Sequence, residues 1–126
     1  MKFVHAMIRV KNLEESMKFY TGLLDMNKTG EVELDDCTLY YLSDEDGQTQ
    51  IEMTYNKETP ENGYKNGNAF GHFAFELDKM SDFTKKMQEY GYEYLYEPFF
   101  MPEVNMYIAF LKDPDGNEIE IMADNE

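Results

Sequence analysis

Apolar and polar side chains alternate along several short stretches of the chain, which predicts β-strands. In the first stretch, residues 2–10, Phe3, His5, Met7 and Arg9 share one face and Val4, Ala6, Ile8 and Val10 the other. The same alternation predicts strands over residues 38–43, 49–55, 71–77, 107–112 and 117–123. One further weak strand is predicted in each half of the chain, at 31–36 or 92–96.

Two stretches have helical periodicity instead. Asn12 is a good N-cap, with Glu15 three residues later as a capping-box partner. An apolar face then follows at spacings of four and three residues: Leu13, Met17, Tyr20 and Leu24. A second such face consists of Met80, Phe83, Met87 and Tyr90, and its helix is expected to stop at Gly91.

The chain reads as two copies of one module. Residues 41–52 (Y-L-S-D-E-D-G-Q-T-Q-I-E) and 110–120 (F-L-K-D-P-D-G-N-E-I-E) share Leu, Asp, Asp, Gly, Ile and Glu once one residue is removed from the first. The only two histidines, His5 and His72, each begin a module. The sequence therefore predicts an α+β domain of two modules, residues 1–56 and 70–126, joined by a loop over 57–69.

Composition narrows the range of functions. The 126 residues carry a net charge of −15, which disfavours binding to nucleic acid or to an anionic membrane surface. No apolar run is long enough for a membrane span, and the N-terminus has no signal-peptide pattern, so a cytoplasmic location is expected. The single cysteine, Cys37, excludes an internal disulfide and a cysteine-based structural zinc site. Its neighbours Asp35 and Asp36 disfavour a reactive thiolate.

Four side chains stand out on the strand faces opposite the apolar ones: His5, Glu52, His72 and Glu120. Such residues often simply face water on the open side of a sheet. As a set, however, they occupy equivalent places in two repeats. Two imidazoles and two carboxylates suit a divalent ion such as nickel, cobalt, zinc, iron or manganese better than calcium. The two D-x-D-G segments lack calcium ligands at the required positions and are predicted to be turns.

These residues resemble glyoxalase I (lactoylglutathione lyase) of the vicinal oxygen chelate superfamily. The resemblance runs from V-H-A-M-I-R-V through F-Y-T-G-L-L-D-M, I-E-M-T-Y-N and G-N-A-F-G-H-F-A-F to F-L-K-D-P-D-G-N-E-I-E. It implies tandem βαβββ modules forming a curved, mostly antiparallel sheet around a metal site. The implied metal ligands are His5, Glu52, His72 and Glu120. The short chain is similar to the bacterial class that prefers Ni²⁺ or Co²⁺, with Zn²⁺ or Mn²⁺ as alternatives, and that class is usually homodimeric.

The resemblance also implies a reaction. The substrate is the hemithioacetal of methylglyoxal and glutathione, and the product is S-lactoylglutathione. A metal-stabilised enediolate forms between them, which makes this a methylglyoxal detoxification step. Glu120 is expected to be the principal base and Glu52 its counterpart on the other face of the substrate. Arg9, the only arginine, and Asn56 match positions that contact glutathione. If they do not bind substrate, Arg9 is simply a surface charge and Asn56 a turn residue.

One departure from the family pattern leaves the identity of the substrate's thiol undecided. Family members usually carry a basic residue in the loop that matches 97–106, whereas this chain has none there. Lys57, Lys65 or a partner chain could compensate, and otherwise the thiol is not glutathione. The segment, with two prolines among apolar residues, is expected to pack on a core edge, a partner chain or a ligand.

The sequence is also compatible with other functions of the same fold. Ring-cleaving dioxygenases and fosfomycin-inactivating thiol transferases of the superfamily use two His and one Glu, and methylmalonyl-CoA epimerase has a Gln near the place of Glu52. Glu52 therefore favours glyoxalase I. A drug-sequestering protein of the same fold would generally lack the metal ligands, and a lapsed paralogue would bind metal without rapid turnover. The sequence does not decide whether the site forms within one chain or between two.

Overall fold

A computed structural model describes all 126 residues, and contacts divide them into two units, Met1–Lys65 and Asn66–Glu126. The boundary lies inside the stretch 57–69 that the sequence predicts as the joining loop. The module limits 1–56 and 70–126 stay a prediction. No helix is long and apolar enough to cross a membrane.

The first unit has the order β-α-β-β-β. Its elements are β1 (Ala6–Arg9), α1 (Leu13–Met17) continued by a π-helical segment (Lys18–Leu23), β2 (Asn27–Glu33), β3 (Cys37–Ser43) and β4 (Gln50–Asn56). The strands form one sheet in the order β1-β4-β3-β2. β1 pairs with β4 in parallel, and the other two pairings are antiparallel.

The second unit repeats this topology. Its elements are β5 (His72–Lys79), α2 (Met80–Glu89), β6 (Tyr94–Met101), β7 (Met106–Lys112) and β8 (Glu118–Asn125). The sheet order is β5-β8-β7-β6, again with one parallel and two antiparallel pairings. The α+β class and the duplicated βαβββ module predicted from the sequence are therefore confirmed.

Both D-x-D-G segments are turns, as predicted. The Gly47 amide donates to the Asp44 carbonyl, and the Gly116 amide to the Asp113 carbonyl. Both glycines have positive φ, +69° and +86°, a conformation that side chains with a Cβ rarely adopt. The Asp113 carboxylate accepts from the Asn117 backbone amide at 2.8 Å, so the side chain of the first turn residue helps to close this turn.

Within each unit, the buried apolar side chains come from the helical segment and from the strands. In the second unit Met80, Phe83 and Met87 are buried as predicted, against strand residues such as Ile119 and Ile121. The predicted apolar face is thus confirmed for α2, whose chain turns away at Gly91 with φ +81°.

The predicted face of the first helix is partly wrong. Asn12 caps it as expected, its side chain accepting from the Glu15 amide at 3.0 Å. The buried side chains, however, are Ser16, Phe19, Tyr20 and Leu23. A regular 3.6-residue period gives the wrong face here because the helix widens into i→i+5 bonding, with the Leu24 amide donating to the Phe19 carbonyl.

Three strand boundaries also differ from prediction. β1 begins only at Ala6, because it is an edge strand whose single neighbour, β4, begins at Gln50. β2 runs over 27–33 rather than 31–36. β6 extends to Met101 through Pro98, which the sequence places in a loop; as an edge strand, β6 tolerates a residue without an amide hydrogen.

Candidate metal centre

The first His–Glu pair forms at the parallel junction of β1 and β4. Met7 lies opposite Glu52 in the register, which puts His5, just before β1, on the same face of the sheet. The His5 Nε2 atom lies 3.1 Å from the Glu52 Oε2 atom. The glutamate side chain is 14% exposed and the histidine 30%, so both can reach a ligand.

The second pair forms at the equivalent junction of β5 and β8. Ala74 lies opposite Glu120, and His72 precedes Ala74 by two residues on the same face. The His72 Nε2 atom lies 3.0 Å from the Glu120 Oε2 atom. The two modules thus form the same histidine–carboxylate pair from the same strands, which extends the sequence repeat to side-chain geometry.

The spacing within each pair suits two ligands of one ion. Two ligand atoms that are each about 2.1 Å from an ion, at a right angle, lie about 3.0 Å apart. Imidazole nitrogen and carboxylate oxygen are also the donor types that borderline divalent metals accept. No group of three or more His, Cys, Asp or Glu side chains is arranged to hold a metal ion in the structure. The structure forms two pairs among the four predicted ligands. A single site made of all four stays a prediction.

An aromatic ring lies against each pair. Tyr41 of β3 is directly opposite Glu52, and its ring meets that of His5 edge-on at 5.7 Å between centroids. Phe110 of β7 is directly opposite Glu120, and its ring meets that of His72 at 5.3 Å. The Glu52 carboxylate as a hydrogen-bond acceptor, followed by burial and the glutamate charge, raises the pKa of Tyr41.

The predicted substrate contacts lie on the face of Glu52. Arg9 is opposite Thr54, two residues beyond Glu52, and Asn56 follows two residues later. The Arg9 side chain is exposed, whereas the Asn56 amide donates to the Tyr64 hydroxyl at 2.8 Å. The structure thus groups both residues beside the first pair, although it does not test their predicted role.

Thr54 is a residue that the sequence analysis missed. It is 5% exposed, and its hydroxyl has no hydrogen-bond partner. A buried hydroxyl without a partner is costly, so one that lies beside a candidate site invites a ligand. The strand alternation could have pointed to it, because Thr54 shares its strand face with Glu52 and Asn56.

Exposed aromatic side chains extend the face of the second pair. The Tyr96 ring meets the Phe110 ring at 5.8 Å, and Phe99 lies opposite Ile108 further along β6. Tyr96 is 54% exposed and Phe99 46%. This part of the face offers apolar contact and contains no basic side chain between 97 and 106.

Cys37 is not a candidate nucleophile. Its side chain is buried, and burial raises the pKa of the thiol. Asp36 raises it further, through its charge and a hydrogen bond. The direction agrees with the sequence-based expectation of an unreactive thiol.

Comparison with known proteins identifies the family. The chain matches the Glyoxalase/Bleomycin resistance protein/Dioxygenase superfamily over residues 2–121. The lactoylglutathione lyase of Neisseria meningitidis is 34% identical over 126 residues, covering 97% of this chain and 90% of its own. The glyoxalase I of Saccharomyces cerevisiae is 35% identical over 96% of this chain and 43% of its own.

Solved structures agree with these relatives. The trypanothione-dependent glyoxalase I of Leishmania major superposes with a TM-score of 0.79 at 32% identity, covering 98% of this chain and 87% of its own. The predicted resemblance to lactoylglutathione lyases and their fold is therefore confirmed. The duplicated βαβββ modules and the end-to-end similarity show that the chain belongs to the Glyoxalase/Bleomycin resistance protein/Dioxygenase superfamily.

Proposed function

We propose that this protein is a metal-dependent glyoxalase I. In this proposal it converts the hemithioacetal of methylglyoxal and glutathione to S-lactoylglutathione in the cytoplasm. The observation that carries the proposal is the duplicated His–Glu pair, with Nε2–Oε2 distances of 3.1 and 3.0 Å. Relatives named lactoylglutathione lyase, which match nearly the whole chain, support the choice of reaction.

The proposed metal ligands are His5, Glu52, His72 and Glu120. Two nitrogen and two oxygen donors suit a borderline divalent ion. Similarity to the short bacterial class favours Ni²⁺, with Co²⁺, Zn²⁺ and Mn²⁺ as alternatives. The four ligands come from one chain or from two chains of a homodimer, and both arrangements give the same donor set. A bound ion supplies Lewis-acid stabilisation of negative charge on the substrate oxygens.

The proton transfer is assigned to the carboxylates. Glu120 accepts the proton from C1 of the hemithioacetal and returns it to C2, so that no proton is consumed overall. Glu52 faces the other side of the substrate. Both side chains are mostly buried, at 17% and 14% exposure, which keeps bulk water away from the transferred proton.

Three side chains next to Glu52 are proposed to hold the thiol part of the substrate. The exposed Arg9 guanidinium suits a carboxylate, which it can bind through two parallel hydrogen bonds. The Asn56 amide and the unpaired Thr54 hydroxyl supply neutral hydrogen bonds. Their shared sheet face, formed by β1 and β4, supports a common binding surface.

A thiol other than glutathione is an alternative component of the substrate. The segment 97–106 has no basic side chain to meet a second carboxylate of glutathione. The Leishmania relative, described as trypanothione-dependent, illustrates a different thiol in a similar fold. Another superfamily reaction, such as thiol transfer or epimerisation, is a weaker alternative because Glu52 completes the glyoxalase I ligand set.

The direct test is turnover with and without metal. Protein stripped by a chelator and reloaded with nickel should convert the hemithioacetal, followed at the thioester absorbance, whereas stripped protein should not. Glu89→Gln, a change on the exposed end of α2, is the control and should leave the rate unchanged. The proposal fails if no metal restores conversion with glutathione, bis-thiol or small-thiol hemithioacetals.

A further inference from the structure

We propose that Asn66 is a positioning residue for His72, because it ties the segment before β5 to the buried pair formed by Asn117 and Asp113. This inference rests on the proposed function, in which His72 is a metal ligand. It adds a residue outside the ligand set that decides how firmly one ligand is held. All of these residues belong to the second unit.

The buried pair belongs to the second D-x-D-G turn. Asp113 is 4% exposed and Asn117 6%. The Asp113 carboxylate accepts from the backbone amides of Asp115 and Asn117, at 2.9 and 2.8 Å, and from the Asn117 side-chain amide at 2.8 Å. Hydrogen bonds to a charged carboxylate are among the stronger ones in proteins, so this turn is a firm anchor.

The orientation of the Asn117 side chain requires a donor at position 66. A carboxylate only accepts hydrogen bonds, so the NH₂ group of Asn117 must face Asp113 and its oxygen must point elsewhere. That oxygen accepts from the side-chain amide of Asn66, a residue distant in sequence. Without Asn66 a buried acceptor would lose its partner, which is costly.

The tie closes a short loop in front of His72. In the parallel pairing of β5 with β8, His72 lies opposite Glu118, the residue after Asn117. Asn66 and His72 are therefore both fixed to the start of β8, and residues 67–71 form the loop between them. Holding the first end of so short a loop restricts the conformations that are open to its other end.

The first module has no equivalent tie. Its Asp44 carboxylate accepts from two backbone amides of its own turn, at 3.0 and 3.2 Å. The segment before its histidine, residues 1–4, is exposed. Strand pairing in this module begins at Ala6, after the histidine, whereas in the second module it begins at His72 itself. The module with the tie thus has its histidine inside the strand.

Two Asn-Gly pairs in the joining loop give a matched set of variants. Asn66→Asp replaces the donor by an acceptor and brings a negative charge to the Asn117 oxygen, so the tie should break. Asn66→Ala removes the donor without adding charge. Asn62→Asp is the control, because it adds the same charge before a glycine at an exposed position in the other unit and keeps the tie.

The readout is the imidazole NMR signal of each histidine in metal-free protein. The chain has only two histidines, and His5→Gln assigns their signals. Both Asn66 variants should shift or broaden the His72 signal and leave that of His5 in place, whereas Asn62→Asp should change neither. A merely structural role would lower the free energy of unfolding and leave the His72 signal of the folded protein unmoved. That result, or an equal shift in Asn62→Asp, would overturn the proposal.

Nickel affinity connects the tie with the proposed metal centre. In calorimetry both Asn66 variants should bind nickel about ten-fold more weakly than wild type, the low end of the loss for residues that orient a metal ligand. Asn62→Asp should bind nickel as wild type does. Unchanged affinity in Asn66→Asp would overturn the positioning role. If wild-type protein binds no nickel, the proposed function fails, and the histidine signals alone decide whether the tie positions His72.

Discussion

Replacing Thr54 by valine should stabilise the protein while weakening its activity. Thr54 is 5% exposed and its buried hydroxyl has no partner, and a buried polar group without a hydrogen bond costs about 1–3 kcal/mol. Valine keeps the branched shape that suits a strand and removes the polar atom. We therefore expect the free energy of unfolding to rise by about 1 kcal/mol, at the low end of that range because the contacts remain otherwise unchanged.

Urea unfolding measures this change as a higher midpoint with an unaltered slope. Thr21→Val is the matched control in the same unit, because the Thr21 hydroxyl donates to the Met17 carbonyl at 2.6 Å. That variant should lose about 1 kcal/mol. If Thr54→Val is destabilised as much as the control, its hydroxyl is satisfied in solution and the reasoning is refuted.

The same variant tests the substrate contact proposed for Thr54. If the hydroxyl binds substrate, kcat/KM should fall about ten-fold, the usual worth of one hydrogen bond. A stabilised variant with unchanged kcat/KM would remove Thr54 from the substrate site.

The remaining predictions concern single residues. Arg9→Lys should raise KM several-fold with little change in kcat, because an ammonium group cannot bind a carboxylate through two parallel hydrogen bonds. An unchanged KM would mean that Arg9 is only a surface charge. Glu120→Gln should retain nickel in a metal assay yet lose turnover, and retained turnover would remove it as the base. Iodoacetamide should alkylate native Cys37 more slowly than a free thiol at pH 8, because burial and Asp36 raise the pKa of the thiol; equal rates would contradict this. Ile121→Ala, at 1% exposure, should cost about 2–5 kcal/mol in thermal or urea unfolding, and a loss below 1 kcal/mol would place it outside the core.

The duplicated fold and the two pairs follow from local patterns. Strand faces follow a period of two, so the parity of His5, Glu52, His72 and Glu120 predicts which faces carry them. The Asp and Gly residues of the two D-x-D-G segments favour turns, and these turns lead the chain into β4 and β8. Because both signals recur, the equivalence of the modules was predictable from the sequence.

The features that sequence reasoning missed depend on tertiary context. The π-helical widening after Met17 changes the buried face, and no composition signal marks it. The strand over Pro98 depends on β6 having a neighbour on one side only. The unpaired Thr54 hydroxyl and the position of Tyr41 opposite Glu52 require knowing which residues face each other across strands. Register between strands distant in sequence is set by packing, and a single sequence does not reveal it.

The central claim is that two equivalent His–Glu pairs share one metal ion. Its most direct test is a crystal structure of nickel-loaded protein, with anomalous scattering to locate the ion. We predict one nickel bonded to His5, Glu52, His72 and Glu120, drawn from one chain or from two. Nickel bound by a single pair, or by other side chains while these four stay apart, would contradict the account.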